Sequence, residues 1–427
     1  MADEGRSCDN DRSSKNILDR YVDNEILHLV IITILFALVL FWTDQNGYWG
    51  DVYAYWRDAS MAFSGKAPYH DFTFEYPPVA MLLFSIPYAV ASNAEGYRLV
   101  FAFLSYLAVI ACYWFGRRIA EGFGVRPVMV FAVIVAMILF ANYYIVSRYD
   151  IFPAAMILIA FWFFRKERYA LAFIIMALAA MLKIYPILFI PLMLCIFVNR
   201  REYVTGAKYL VLSAVVCVIC EIPFLLIDPS TSFDYLTYHS DRRIQVEAVI
   251  ANFLQVYGDM NPGQVWWVNE YGADHLAGPL PDALAPLMNP LMMVIVSISI
   301  IFMIWRLRRI EGDRLWALAG LAFALLLMIF LAVNKVYSNQ YMIWACAMIP
   351  LALIGVSKTK DRRIVFVASM AFIALSDLQT LWFHLLGNPW EMGSFTAIQA
   401  LKNAAHIILL AVLAYYFAKG TREPRSD

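Results

Sequence analysis

The chain alternates between long apolar stretches and short polar joints. Apolar blocks occupy residues 26–42, 76–91, 97–115, 127–146, 151–164, 169–182, 185–198, 207–227, 287–305, 315–333, 341–356, 364–375 and 398–418. Several approach the roughly 20 residues that an α-helix needs to cross the hydrocarbon core of a bilayer. The pattern predicts an all-α polytopic membrane protein.

The polar joints give that pattern a sidedness. Basic residues cluster at Arg117, Arg118 and Arg126; at Arg165, Lys166 and Arg168; at Arg200, Arg201 and Lys208; at Arg306, Arg308, Arg309 and Arg314; and at Lys358, Lys360, Arg362 and Arg363. Both termini carry Lys and Arg too. Joints rich in Lys and Arg stay cytoplasmic. If all thirteen blocks spanned, several clusters would lie outside. If 76–91 does not span, every cluster falls inside, with 24 of the 33 basic residues. That block holds Pro77, Pro78 and Pro87, which suit a re-entrant or interfacial helix. The expectation is therefore about 12 spans in the plasma membrane, with both termini cytoplasmic: a tail at 1–25, one membrane domain at 26–418 and a tail at 419–427. The blocks at 151–164, 169–182 and 185–198 are short for spans, so tilt, extension by their flanks or a break at 183–186 is expected. Two long segments fall outside, at 43–95 and 228–286, and shorter turns at 147–150, 182–185, 334–340 and 376–397. The first 25 residues are polar and lack the form of a signal peptide. No inverted repeat of the transporter kind is visible.

Composition narrows the class further. Of 427 residues, 62% are hydrophobic and 15% charged, with 33 Lys+Arg against 33 Asp+Glu and a mean hydropathy of +0.64. Average soluble chains are about half apolar and about a quarter charged. A soluble domain, a disordered chain and an electrostatic nucleic-acid binder are excluded. Cysteine adds little. Cys112, Cys195, Cys217, Cys220 and Cys346 lie in apolar blocks, where packing is their ordinary role, and Cys8 lies in the polar N-terminus.

The outside segments hold the chemistry. Asp51 follows the first span within Gly50-Asp51-Val52-Tyr53-Ala54-Tyr55-Trp56. Partial desolvation among aromatics at headgroup level would raise its pKa and make it a better base; a solvated loop acid or helix cap is the plainer alternative. Asp58 stands two helical turns on and shares a face with it. Gly65-Lys66-Ala67-Pro68-Tyr69 and Phe74-Glu75-Tyr76-Pro77-Pro78 read as loop architecture at the interface. Ser147-Arg148-Tyr149-Asp150 puts an acid and a base at one membrane edge, where they form an ion pair or serve a ligand. Lys183 in Leu182-Lys183-Ile184-Tyr185-Pro186 interrupts an apolar stretch, at a cost of about 3 kcal/mol at mid-bilayer. It either snorkels or serves an anion, and Lys335 poses the same choice. Tyr238-His239-Ser240-Asp241-Arg242-Arg243-Ile244-Gln245-Val246-Glu247 puts two arginines and a histidine on the side the other basic clusters avoid. A surface charge run is the plain reading, but arginine also grips phosphate bidentately. Lys183, Arg242, Arg243 and Lys335 make a set of cations able to converge on one anion. There is no P-loop, no Gly-x-Ser-x-Gly, no His-Glu-x-x-His and no His/Cys cluster with zinc spacing.

Taken in order, an aspartate past the first span, G-K-A-P-Y, E-Y-P-P, S-R-Y-D, L-K-I-Y-P, Y-H-S-D-R-R-I-Q-V-E and N-K-V-Y-S-N-Q-Y-M-I-W resemble the GT-C superfamily of membrane glycosyltransferases. More closely, the chain resembles glycosyltransferase family 87, the polyprenyl-phosphate-mannose-dependent α-1,2-mannosyltransferases. The motifs run from Asp51 to Trp344. The resemblance implies a GT-C fold whose first outside loop carries membrane-surface helices. It also implies a polyprenyl-phosphate sugar donor, a glycan or glycolipid acceptor, contact with membrane lipids and no nucleic-acid partner. By the same resemblance Asp51 is the catalytic base, with Asp150 as the second acidic motif. Substrate contacts then fall to Asp58, Tyr69, Tyr76, Arg148, Asp150, Lys183, His239, Arg242, Arg243, Gln245, Glu247, Lys335 and Gln340. The chain departs from the family in Tyr337-Ser338-Asn339-Gln340, where the family often has Phe-Ser-Pro-Gln, and at Arg243, which replaces a small residue. Which arginine touches phosphate stays open, as does a divalent cation held by Asp51 and Asp150. The reading from another class is a secondary transporter or lipid flippase, which would place ionisable residues on broken helices at the bilayer midplane.

Overall fold

The computed structural model describes residues 22–378 and 392–422. Cys8, the first 21 residues of the N-terminal tail, the end of the C-terminal tail from 423 and most of the turn expected at 376–397 lie outside the described residues. Every one of the thirteen apolar blocks becomes helix. In chain order these are α1 (Glu25–Asn46), α3 (Pro78–Val90), α4 (Ala94–Glu121), α5 (Pro127–Ala141), α6 (Ile151–Arg165), α7 (Tyr169–Leu182), α8 (Tyr185–Arg200), α9 (Tyr203–Leu225), α12 (Pro279–Leu307), α13 (Gly312–Val333), α14 (Met342–Ile354), α15 (Thr359–Ser376) and α16 (Met392–Gly420). Polar joints supply α2 (Gly50–Phe63), α10 (Asp234–Ser240) and α11 (Val249–Met260). Six of the described helices, α1, α4, α9, α12, α13 and α16, are long and apolar enough to cross a membrane.

The break expected at 183–186 is present. α7 stops at Leu182, and α8 begins as a 3₁₀ turn, Tyr185–Leu188, before two short α-helical pieces. Pro186 and Pro191 cannot donate the hydrogen bonds a continuous helix needs. α3 has 13 residues and spans about 20 Å at the helical rise of 1.5 Å per residue, less than the roughly 30 Å core. In the chain it lies between α1 and α4, together with α2.

Helix alternation sorts the joints to two ends of the bundle. The basic clusters share one end, where they stitch chain termini and turns together. Arg362 donates to the carbonyls of Phe123 and Gly124 at 2.7 and 2.6 Å. Arg314 donates to Gly420 O at 2.5 Å, and Arg306 to Ala418 O at 3.2 Å. The opposite end carries α2, α3, α10 and α11. It also carries a small antiparallel sheet that the sequence reading did not anticipate: β1 (Ile244–Gln245), β2 (Trp266–Glu270) and β3 (Ala273–Ala277), in the order β1-β3-β2. β2 and β3 turn over Tyr271 and Gly272, both at positive φ (53° and 67°). This is the geometry of a two-residue hairpin turn.

The core of the bundle is the α13–α14 pair. α14 is buried throughout, and its close approach to α13 depends on small residues, as in membrane helix pairs generally. A Cβ on Gly355 would stand 2.4 Å from Leu321 Cβ, and one on Gly320 would stand 2.8 Å from Ile354 Cδ1. Gly355→Leu should therefore separate the two helices and lower the detergent-solubilised Tm by several degrees. Gly124→Ala, at a position with nothing within 4 Å of its Cβ, should cost only the smaller backbone strain of its positive φ. Differential scanning fluorimetry of the two variants checks the ranking.

Candidate active site

At the α2/α3 end the bundle opens into a cavity of about 470 Å³. Its walls come from segments far apart in sequence: α2, the 73–76 segment, the 144–150 turn, Lys183, the 238–247 segment, the β2–β3 hairpin and the 338–341 turn. All are joints at one end of the bundle, so the polar groups stand where the spans stop.

Asp51 sits in the first turn of α2 and forms an ion pair with Arg148, which arrives from the turn after α5. Tyr55, one helical turn on, donates its hydroxyl to Asp51 Oδ2 at 3.4 Å. Asp58 lies on the same helix face and also lines the cavity. Its carboxylate takes a two-pronged bond from Arg57 (3.0 and 2.8 Å). Burial pushes the Asp58 pKa up, and Arg57 opposes the shift.

Asp150 is fully buried and does not pair with its neighbour Arg148. It accepts from Lys183 Nζ at 2.7 Å and from Trp344 Nε1 at 2.6 Å. Lys183 therefore neither snorkels nor reaches across an open space. It is held inward by this carboxylate and by the faces of Tyr149, Trp344 and Tyr341, with ring centroids at 4.4, 5.1 and 5.5 Å. Cation–π attraction of this kind strengthens when water is excluded.

Arg242 is the cavity's remaining cation. Arg57, Arg148 and Lys183 each hold a carboxylate, whereas Arg242 holds none among the described residues. Its Nη2 donates to Tyr271 O at 2.9 Å, it lies over the rings of Tyr238 and Tyr271, and its buried Nε has no partner. A guanidinium with an unused N–H keeps hydrogen-bonding capacity of the kind that anions use.

The rest of the 238–247 motif divides. His239 lines the cavity, and burial followed by repulsion from Arg242 drives its pKa down to about 4, so it is neutral at pH 7. Gln245 donates to Ser338 Oγ at 2.8 Å and ties two walls together. Burial pushes the Glu247 pKa up, with Lys402 of α16 opposing. Lys402 Nζ meets Glu247 O and Asn339 Oδ1 at 3.1 and 3.2 Å. Tyr76 and Gln340 complete the expected lining.

Three expected residues stand elsewhere. Arg243 turns outward to pair with Asp282 and Glu270. Lys335 is buried, and its ammonium is spent on the carbonyls of Ser240 (2.8 Å) and Ala285 (3.2 Å), so it clamps the second loop to α12. Tyr69 packs against Phe224 and Tyr235 and donates to Tyr76 O at 2.5 Å, holding the cavity wall from behind. The four cations expected to converge thus reduce to Lys183 and Arg242. As for a divalent cation, Asp51 and Asp150 are each bound to a different base. Among the described residues no three His, Cys, Asp or Glu side chains come together as a ligand set.

The sequence reading left out Glu75, Tyr238, Tyr271 and Asp274, which line the cavity, and Trp344 and Lys402, which support it. Glu75 was legible as an acid inside E-Y-P-P, and Lys402 as a charge inside an apolar block. The pairing of either required the fold.

Residues 72–334 match Glycosyltransferase family 87, more than half of the chain, and the chain belongs to that family. It is a membrane glycosyltransferase, and the transporter or flippase reading falls away. Among solved structures, the crystal structure of ArnT from Cupriavidus metallidurans bound to undecaprenyl phosphate is similar at 12% identity, with a TM-score of 0.46, over 92% of this chain and 77% of that one. No curated protein matches the sequence.

The depressed His239 pKa carries a linkage consequence. Between pH 6.5 and 4 the unfolded histidine binds a proton that the folded one refuses, so stability falls as pH drops through that window and is level above it. His239→Gln should flatten this part of the profile. Thermal melts at pH 4.5, 5.5 and 7 read the change, and an unaltered slope would remove His239 as its source.

Proposed function

We propose that this protein transfers a hexose, with mannose the first choice, from a polyprenyl-phosphate donor to a glycan or glycolipid hydroxyl at the outer face of the plasma membrane. The reading rests on Arg242, the cavity-lining cation that among the described residues holds no carboxylate. Arg242 offers a buried, unpartnered donor in the same cavity as the Asp51 carboxylate, at the bundle end away from the basic clusters. With both termini cytoplasmic, that end faces outward.

Asp51 accepts the proton of the acceptor hydroxyl as that oxygen forms its bond to the anomeric carbon. The bond from that carbon to the phosphate oxygen breaks on the opposite side, and the polyprenyl phosphate leaves with one more negative charge than it carried as a diester. Arg242 stabilises that charge where water is sparse. A phosphate needs little protonation to leave, so one carboxylate suffices where a glycosidase uses two. A single displacement inverts the anomeric centre. Arg148 and Tyr55 orient Asp51, and the Lys183–Asp150–Trp344 group fixes the wall beside it.

Purified protein tested against a panel of radiolabelled prenyl-phosphate sugars should show which sugar is transferred. With the active donor, Asp51→Asn should lose about 10³-fold or more in turnover, within the range of a general base, while the protein still binds donor. Turnover near that of the parent would remove Asp51 from the role. Arg242→Ala should raise the donor KM roughly 10- to 100-fold, as expected for a charged hydrogen bond of about 1.5–3 kcal/mol. Arg243→Ala, which breaks an outward ion pair, should change it by no more than about threefold. The reverse order would place the phosphate outside this cavity.

A further inference from the structure

α11 carries two apolar faces. Ala251, Leu254, Gln255 and Gly258 are buried inward. Phe253, Val256, Tyr257 and Met260 recur at i, i+3, i+4 and i+7, the spacing of one helical stripe, and they point outward at 70, 46, 37 and 78% exposure. Trp266 extends the stripe at 47% exposure. It is brought back to the helix by the contact of Gly258 with Val265, where a Cβ on the glycine would stand 2.7 Å from Val265 Cβ. The helix contains no Lys or Arg, and Asp259 is its one charge. A stripe of this kind facing water would be a standing liability.

The helix is continuous with the lipid-facing surface. Asn252 Nδ2 donates to Thr396 O at 2.9 Å, and Thr396 Oγ1 donates to Gln255 Oε1 at 3.1 Å, so α11 is seated on the first turns of α16. Farther along α16, Leu401, Ile407 and Ile408 are exposed as part of the apolar belt. The inward face reaches the cavity wall, since Gln255 Nε2 donates to Val246 O at 3.0 Å, between the lining residues Gln245 and Glu247.

We propose that α11 is an interfacial helix, with the Phe253–Val256–Tyr257–Met260 face and Trp266 inserted among the lipid acyl chains of the leaflet beside the cavity. The bilayer then holds the Gln245–Glu247 wall at a fixed depth through Gln255. The lack of basic residues makes acyl chains, not anionic headgroups, the recognised chemistry. The inference stands independently of the transferase reading, and its test uses no sugar substrate.

Full-length protein is reconstituted in phosphatidylcholine vesicles doped with phosphatidylcholine that bears a diazirine at the acyl-chain terminus or, in parallel, near the glycerol. After photolysis, adducts are mapped by peptide mass spectrometry, with the lipid-facing residues Val218 and Ile219 of α9 as internal control. The expected result is adducts on 253–260 with one of the two lipids at a yield comparable to α9, unchanged when anionic phosphatidylglycerol is added. In Phe253→Ser/Met260→Ser these adducts should fall at least about threefold while α9 labelling stays level, which also reports that the variant is folded. Labelled α9 with unlabelled α11 overturns the proposal. So does α11 reacting with a water-soluble carbene source instead, or α11 cross-linked to another protein.

Discussion

A buried charge must be paired where the low-dielectric bundle ends, and that constraint organises the whole upper cavity. Removing one partner of such a pair typically costs 3–5 kcal/mol. Asp150 is the point at which this matters most. It sits at the entry to α6, takes its cation from the turn between α7 and α8, and takes a second donor from Trp344 on α14. One carboxylate thus registers three distant parts of the chain. Asp51 with Arg148 does the same for α2 and the turn after α5. Once these pairs are made, the cavity walls are fixed, and among the described cationic side chains that line the cavity Arg242 alone holds no carboxylate.

Much of the fold was legible because a bilayer leaves few options. Backbone polar groups in lipid must be satisfied within helices, so the thirteen apolar blocks translate directly into thirteen helices. The proline-rich block at 76–91 forms the 13-residue α3. The β1-β3-β2 sheet was not legible in the same way. Its strands are two to five residues long, and the Tyr271-Gly272 turn is a weak signal amid aromatic loop sequence. Such structure is set by packing on the helix ends and not by local preference.

The candidate site was legible in outline. Eleven of the fourteen residues named from the sequence line one cavity, because motifs in alternate joints of a helical bundle must meet at one end. The three misplacements share a cause. Tyr69, Arg243 and Lys335 are chemically suited to a ligand, but each is consumed by a neighbour that sequence alone does not reveal: a carbonyl, two carboxylates and two carbonyls. The adjacent arginines show this most sharply. They are equal in charge, yet Arg242 lines the cavity and Arg243 pairs outside it with Asp282 and Glu270. Pairing among Asp51, Arg148, Asp150 and Lys183 was equally hidden, since the nearest partner in sequence is the wrong one.

The central claim is that lipid-borne phosphate binds at Arg242 with the sugar side of the site toward Asp51. A cryo-electron microscopy map of the protein in nanodiscs with added undecaprenyl phosphate tests it without any assumption about the sugar. The account predicts phosphate density against the Arg242 guanidinium inside this cavity, with the prenyl chain leaving between helices into the bilayer. Density at Arg243 or Lys335 with the cavity empty, or at the bundle end formed by the basic clusters, would contradict it.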